Sequence, residues 1–155
     1  MSEVGVTQVE PQLVIGMRKR GTYAQIGPMI AKVYKYAAAS GAQIQGRPTF
    51  VCHETPKEMM KANQQGNADV EVAIPVTEAI EGTDEITCYE LAGGQMARIV
   101  HEGPHDLCAP TYKKLFEWIA QSGKKIVGPT REVYLNDPRE VQPEEIRTEI
   151  YAPIA

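Results

Sequence analysis

Three glutamates on strand-like segments, Glu71, Glu132 and Glu149, are the side chains of this sequence best suited to chemistry. A carboxylate in an apolar, aromatic surrounding has no water to solvate it and attracts a cation strongly. Aromatic faces add cation–π attraction of about 0.5–2 kcal/mol each. The same desolvation favours the neutral acid, so such a group can also serve as a general acid or base. Each glutamate also has a plainer reading. Glu132 can face solvent and pair with Arg131 or Arg147. Glu71 and Glu149 sit opposite their strands' aliphatic faces, where alternation points side chains at water. Aromatics able to line such a site are Phe50, Tyr36, Trp118, Tyr134 and Tyr151. Those at helical spacing fit a core equally well.

Other reactive residues are sparse. His53, His101 and His105 are the only histidines, and none lies in a Cys/His cluster with metal-ligand spacing. His105 falls at a helix start and reads as a solvated or capping residue. Cys52, Cys88 and Cys108 are an odd number with no short spacing, which suits reduced thiols rather than a disulfide framework. Cys108 could be a nucleophile, but without an evident histidine partner it reads more simply as a structural thiol. Met59 and Met60 suit either a soft lid over an apolar ligand or ordinary packing. No metal and no cofactor is expected.

Elements to position these residues come from a repeat. Shifting the sequence by 82 positions lays residues 21–53 on 103–135 with nine identities in 33 positions, where chance gives about two. At an offset of 78, residues 70–76 fall on 148–154. Glu71 and Glu149 are therefore repeat mates. Glu132 falls opposite Phe50, Tyr134 opposite Cys52, Tyr151 opposite Ala73 and Trp118 opposite Tyr36. Two copies about a pseudo-twofold axis are expected to leave a groove fit for a ligand.

Each half reads as two strands, a helix and two more strands. The apolar spacing of Ile26, Met29, Ile30, Val33, Tyr34 and Ala37 predicts a helix over 26–40 that stops at Gly41. Its mate runs over about 108–122 and stops at Gly123. Residues 69–76 alternate cleanly and predict a strand. The triplet Ala92-Gly93-Gly94 predicts a hairpin between strands 85–91 and 95–102. Residues 56–61 are a short helix candidate, followed by a loop over 63–67 that is expected to be mobile. The result is an α+β fold of tandem strand–helix–strand–strand units. It has an antiparallel sheet of about eight strands, two main helices and a central groove. A single domain is expected over 1–155, with repeat halves 1–78 and 83–155.

Composition narrows the function. With 155 residues, 20 acidic and 16 basic groups and net charge −4, the chain lacks the basic excess of a nucleic-acid binder. A mildly acidic cleft suits cationic or neutral ligands. The N-terminus carries no signal-peptide pattern, and no apolar run approaches the roughly 18 residues of a membrane helix. A cytoplasmic location is expected.

The second half carries the most diagnostic motifs. They are His-Glu-Gly-Pro-His at 101–105, Tyr-Lys-Lys-Leu-Phe-Glu-Trp-Ile at 112–119, Gly-Pro-Thr-Arg-Glu-Val-Tyr-Leu-Asn-Asp-Pro at 128–138 and Arg-Thr-Glu-Ile-Tyr-Ala-Pro-Ile at 147–154. In this order, and with the duplication, they resemble the GyrI-like small-molecule-binding family, also called the AraC-type effector-binding domain. The resemblance implies a multidrug-type groove for hydrophobic, often cationic, compounds. It also implies a groove glutamate with aromatic neighbours. Glu132 is the best match to that glutamate, with Tyr134 beside it on the same face. Tyr151, Trp118, Phe50, Tyr36 and Glu149 are further candidates for the lining. Many members carry a helix-turn-helix ahead of this domain. Here the first strand begins within ten residues of Met1, so direct nucleic-acid binding is not expected. Three functions follow: a binder of hydrophobic or cationic small molecules, a hydrolase of cyclopropanoid or other strained electrophiles, and an inhibitor module with a protein partner like the gyrase-inhibitor branch. In the hydrolase, Glu132 would handle water and Tyr134 the leaving group.

Overall fold

The computed structural model describes residues 3–155. In chain order the elements are β1 (Gly5–Val9), β2 (Gln12–Gly21), α1 (Ile26–Ser40), β3 (Thr49–Cys52), α2 (Pro56–Gln65), β4 (Ala68–Pro75), β5 (Thr87–Leu91), β6 (Gly94–Glu102), α3 (Ala109–Gln121), β7 (Thr130–Tyr134) and β8 (Arg147–Pro153). This is the expected α+β class. The chain divides into two compact units, one of Pro11–Ala92 and one of the described residues through Glu10 together with Gly93–Ala155.

In the Pro11–Ala92 unit the strands lie in the order β3-β4-β2-β5, all neighbours antiparallel. Helix α1 packs on β4 and buries Met29, Val33 and Ala37. It ends at Gly41, whose φ of 75° is a left-handed conformation that a Cβ would penalise; Gly123 ends α3 at 77° for the same reason. β4 is buried on both faces. Val70, Val72, Ile74 and Val76 form the expected aliphatic face. The other face is not in water: Glu71 is only 7% exposed, beside a cluster of Val14, Val51, Ala73 and Leu91. The solvent-facing reading of Glu71 therefore fails, because a sheet covered on both sides leaves no wet face.

In the second unit the order is β1-β6-β8-β7, again antiparallel. Helix α3 lays Tyr112, Leu115 and Ile119 on Ala97 and Ile99 of β6 and on Ile150, Ala152 and Ile154 from β8 and the residue after it. The i, i+3, i+7 spacing of the three helix residues puts them on one stripe.

Two local expectations give way. The hairpin through Ala92-Gly93-Gly94 does not form: β5 pairs with β2, and β6 pairs with β1 and β8. Turn residues permit a reversal but do not choose the partner. Here the N–H and C=O groups along the edges of β2 and β6 are satisfied by β5 and β1, each from the opposite half of the repeat. Helix α2 extends through Gln65 into the segment expected to be a loop. A capping box between Thr55 and Glu58 starts it, and Gly66 at φ 67° closes it. Among the described residues no helix is long and apolar enough to cross a membrane.

Leu115, fully buried beneath α3, measures how much this packing contributes. Leu115→Ala is expected to lower the unfolding free energy by about 2–5 kcal/mol, read from urea denaturation.

Candidate functional site

Antiparallel pairing decides which carboxylate lies where, since directly opposed residues share a face. Glu132 on β7 is opposite Ile150 of β8, and Ile150 belongs to the core under α3. Glu132 therefore points beneath the helix and is 8% exposed. Its repeat mate Phe50 is a fully buried core residue, opposite Val72. The same duplicated core position thus holds a phenyl ring in one unit and a carboxylate in the other.

Two tyrosines satisfy that carboxylate. The Tyr112 hydroxyl donates to Oε2, and the Tyr134 hydroxyl donates to Oε1 at 3.1 Å. Tyr134 lies two residues beyond Glu132, so strand alternation alone brings them to one face. Tyr112 arrives from the first turns of α3, and its placement depends on how that helix begins. Buried His101 ties this region together. Its Nε2 donates to the Pro104 carbonyl at 2.9 Å, and its Nδ1 meets the Thr111 hydroxyl at 2.7 Å. A single helical turn over His105–Leu107 then leads into α3. The His105 ring packs on Tyr134 with centroids 5.0 Å apart and planes tilted by 48°. Burial lowers the His105 pKa, and the charge of Glu132 opposes that shift. Burial pushes the Cys108 thiol up to about 11, and Glu132 adds to the effect.

Neither expected basic partner meets Glu132. Arg131 is opposite Tyr151 on the other face of the sheet, and Arg147 faces Glu102 at 3.9 Å. Among the described residues, no lysine or arginine is in ion-pair contact with Glu132. A tyrosine hydroxyl orients a carboxylate without pairing it with a positive charge.

The remaining candidates are dispersed. Glu149 points to the face away from α3 and is ion-paired with Arg98, whose Nε donates at 2.6 Å. Tyr151 also faces away from α3. Trp118 is half-buried against the α3 core. Phe50 and Tyr36 belong to the other unit. There Phe50 meets the edge of Tyr23 at 5.9 Å, and the Tyr36 hydroxyl donates to the Glu81 carbonyl. Met60 is exposed. Tyr112 was not among the expected site residues, although its spacing with Leu115 and Ile119 marks it as facing the sheet. Among the described residues no group of three or more His, Cys, Asp or Glu side chains could hold a metal ion.

The duplicated α+β frame has a counterpart in known sequences. The GyrI-like small-molecule-binding domain model matches residues 2–155. The chain belongs to this family. Solved structures similar to this GyrI-like domain include the EcmrR C-terminal domain, at 18% identity and TM-score 0.87, covering 99% of this chain and 97% of that one. EcmrR in its DNA complex matches at 18% identity and TM-score 0.86 over 98% of this chain but 57% of its own, so the chain spans little more than half that protein. A hydrolase from Listeria innocua matches at 14% identity and TM-score 0.70, over 99% of this chain and 92% of that one. SAV2435 bound to tetraphenylphosphonium matches at 14% identity and TM-score 0.60, over 99% and 94%. At these identities the likeness shows a shared fold. No curated protein matches the sequence.

The environment of Cys108 gives a direct test. With its pKa near 11, about one thiol in a thousand is ionised at pH 8, and the thiolate is the reactive form. Iodoacetamide labelling of Cys108 in the native GyrI-like domain is expected to be slow at pH 8 and to rise about tenfold per pH unit to pH 10. Peptide mass spectrometry would read this out.

Proposed function

We propose that this small-molecule-binding domain takes hydrophobic organic cations at Glu132. The observation that carries the reading is a carboxylate 8% exposed, held by two tyrosine hydroxyls and lacking a basic partner among the described residues. A lipophilic cation supplies the missing charge. It also loses less hydration on entry than a small ion does. Tyr134 and Tyr112 orient the carboxylate, and their rings with that of His105 add aromatic faces. SAV2435, similar in fold, is bound to tetraphenylphosphonium, which makes that cation the natural probe. The thiols of Cys52, Cys88 and Cys108, which form no disulfide, accord with a reducing compartment such as the cytoplasm.

Calorimetric titration with tetraphenylphosphonium is expected to show saturable binding. Glu132→Gln, which keeps the shape and removes the charge, should weaken it by about ten- to a hundredfold. Unchanged affinity in the variant rejects Glu132 as the binding group.

A hydrolytic reading rests on the same residues. Glu132 would orient or deprotonate water, and a tyrosine hydroxyl would position the leaving group of a strained electrophile. Water addition to a cyclopropane-bearing alkylator, lost in Glu132→Gln, would support it. Addition at equal rates in both proteins would reject it.

A further inference from the structure

Glu71, on the β4 face turned away from α1, is the centre of a second polar cluster that the reading above does not use. Its Oε1 accepts from His53 Nε2 at 2.6 Å, and its Oε2 accepts from the Tyr89 hydroxyl at 2.7 Å. A carboxylate only accepts, so in the neutral imidazole the proton sits on Nε2 and the lone pair on Nδ1. Nδ1 makes no hydrogen bond among the described residues, and the His53 side chain remains 20% exposed. The nearby Arg18 guanidinium is engaged by Asp69 through two hydrogen bonds, at 2.7 and 2.5 Å.

The repeat shows that this arrangement is specific to one copy. Glu149, the mate of Glu71, is paired with Arg98. The position equivalent to Arg98 at the 82 offset is Gly16, and the one equivalent to Tyr151 at the 78 offset is Ala73. A Cβ on Gly16 would lie 2.6 Å from the Tyr89 hydroxyl and 2.4 Å from the Val72 carbonyl. Glycine thus opens the space through which Tyr89 reaches Glu71. His53 itself falls where the second copy has Leu135. Substituting Arg, Tyr and Leu by Gly, Ala and His exchanges a closed ion pair for a carboxylate that orients an imidazole.

A carboxylate on one ring nitrogen fixes the tautomer and raises the basicity of the other. Of the three histidines, only His53 combines such a partner with a free nitrogen. His101 uses both nitrogens and is 5% exposed. His105 lies half-buried against Tyr134.

We propose that His53 is an acyl-accepting nucleophile positioned by Glu71 and Tyr89, with activated aryl esters as its substrate class. The Nδ1 lone pair attacks the ester carbonyl, an N–C bond forms, and the bond between the acyl carbon and the aryloxy oxygen breaks to release a phenolate. The Nε2 proton, held toward Glu71, passes to solvent or to the phenolate and leaves a neutral N-acylimidazole. Water then adds to the acyl carbon. The C–N bond breaks to give the carboxylic acid, and the imidazole is restored. Glu71 and Tyr89 are positioning residues that touch neither ester nor water. This site is separate from Glu132 and stands or falls independently of cation binding there.

The test uses the full chain with diethyl pyrocarbonate and, in parallel, p-nitrophenyl acetate, followed by peptide mass spectrometry. His53 is expected to be modified at least about fivefold faster than His101 or His105, and acetyl-His53 to accumulate briefly with the aryl ester. Glu71→Gln should slow modification of His53 by about tenfold with an unchanged melting temperature. The ¹⁵N shifts of His53 should then show loss of the single Nε2–H tautomer, which a merely structural role for Glu71 would not produce. His53→Gln should abolish the burst of p-nitrophenolate. Modification of His53 no faster than of the other histidines, or an unchanged rate in folded Glu71→Gln, would overturn the proposal.

Discussion

A β-strand can place neighbouring side chains only on opposite faces, and the placement of this protein's buried carboxylates depends on that constraint. Glu132 and Tyr134 share the face beneath α3, while Arg131 between the strand's start and Glu132 is turned away. Glu71 and Glu149 occupy the faces that the helices do not cover. A one-residue slip of β7 against β8 would exchange Glu132 with Arg131 and place a guanidinium in the core beneath α3. Register is held by the apolar residues around it. Ile150, Ala152, Ala97 and Ile99 are wholly buried and would offer that guanidinium neither water nor an opposite charge.

Burying a carboxylate is costly unless hydrogen bonds or charges replace its water. The protein does this in three ways. Glu149 has a guanidinium, which satisfies and neutralises it. Glu71 has an imidazole and a phenol, which leave one ring nitrogen open. Glu132 has two phenols, one on each carboxylate oxygen. These differences, more than burial itself, separate a carboxylate closed in an ion pair from carboxylates held by hydrogen bonds to rings. Desolvation of the Tyr89 hydroxyl, reinforced by its bond to Glu71, raises its pKa and keeps it a neutral donor.

The duplication explains why these solutions are found together. Both copies keep the helix with its glycine stop, and both keep the valine opposite the mated glutamate, Val51 with Glu71 and Val133 with Glu149. Divergence falls on positions whose neighbours can accommodate a new polar group. Phe50 and Glu132 occupy one such pair of positions. Tyr23 and His105 are mates that pack against the rings of Phe50 and Tyr134 respectively. A shared backbone has therefore been furnished with an apolar contact in one unit and a polar one in the other.

Much of the fold was legible in the chain: helical spacing over 26–40, glycine stops at Gly41 and Gly123, alternation over 69–76 and the repeat itself are all local or periodic signals. So was the pairing of Glu132 with Tyr134, because two residues apart on a strand means one face. What the sequence could not decide was partnership across space. The Ala92-Gly93-Gly94 segment permits a hairpin, yet β5 and β6 pair elsewhere, since an edge is satisfied by whichever strand the whole sheet brings to it. The second face of β4 reads as polar because it carries Glu71, but the tertiary structure buries it. The arrival of Tyr112 at Glu132, and of His53 and Tyr89 at Glu71, depends on contacts 18 to 20 residues apart. Periodicity within one element carries no information about such contacts. The sequence by itself determined the elements and the side of each strand on which a carboxylate stands. Tertiary packing decided which of those sides became dry and which partners met the charge there, because desolvation is a property of what covers a residue.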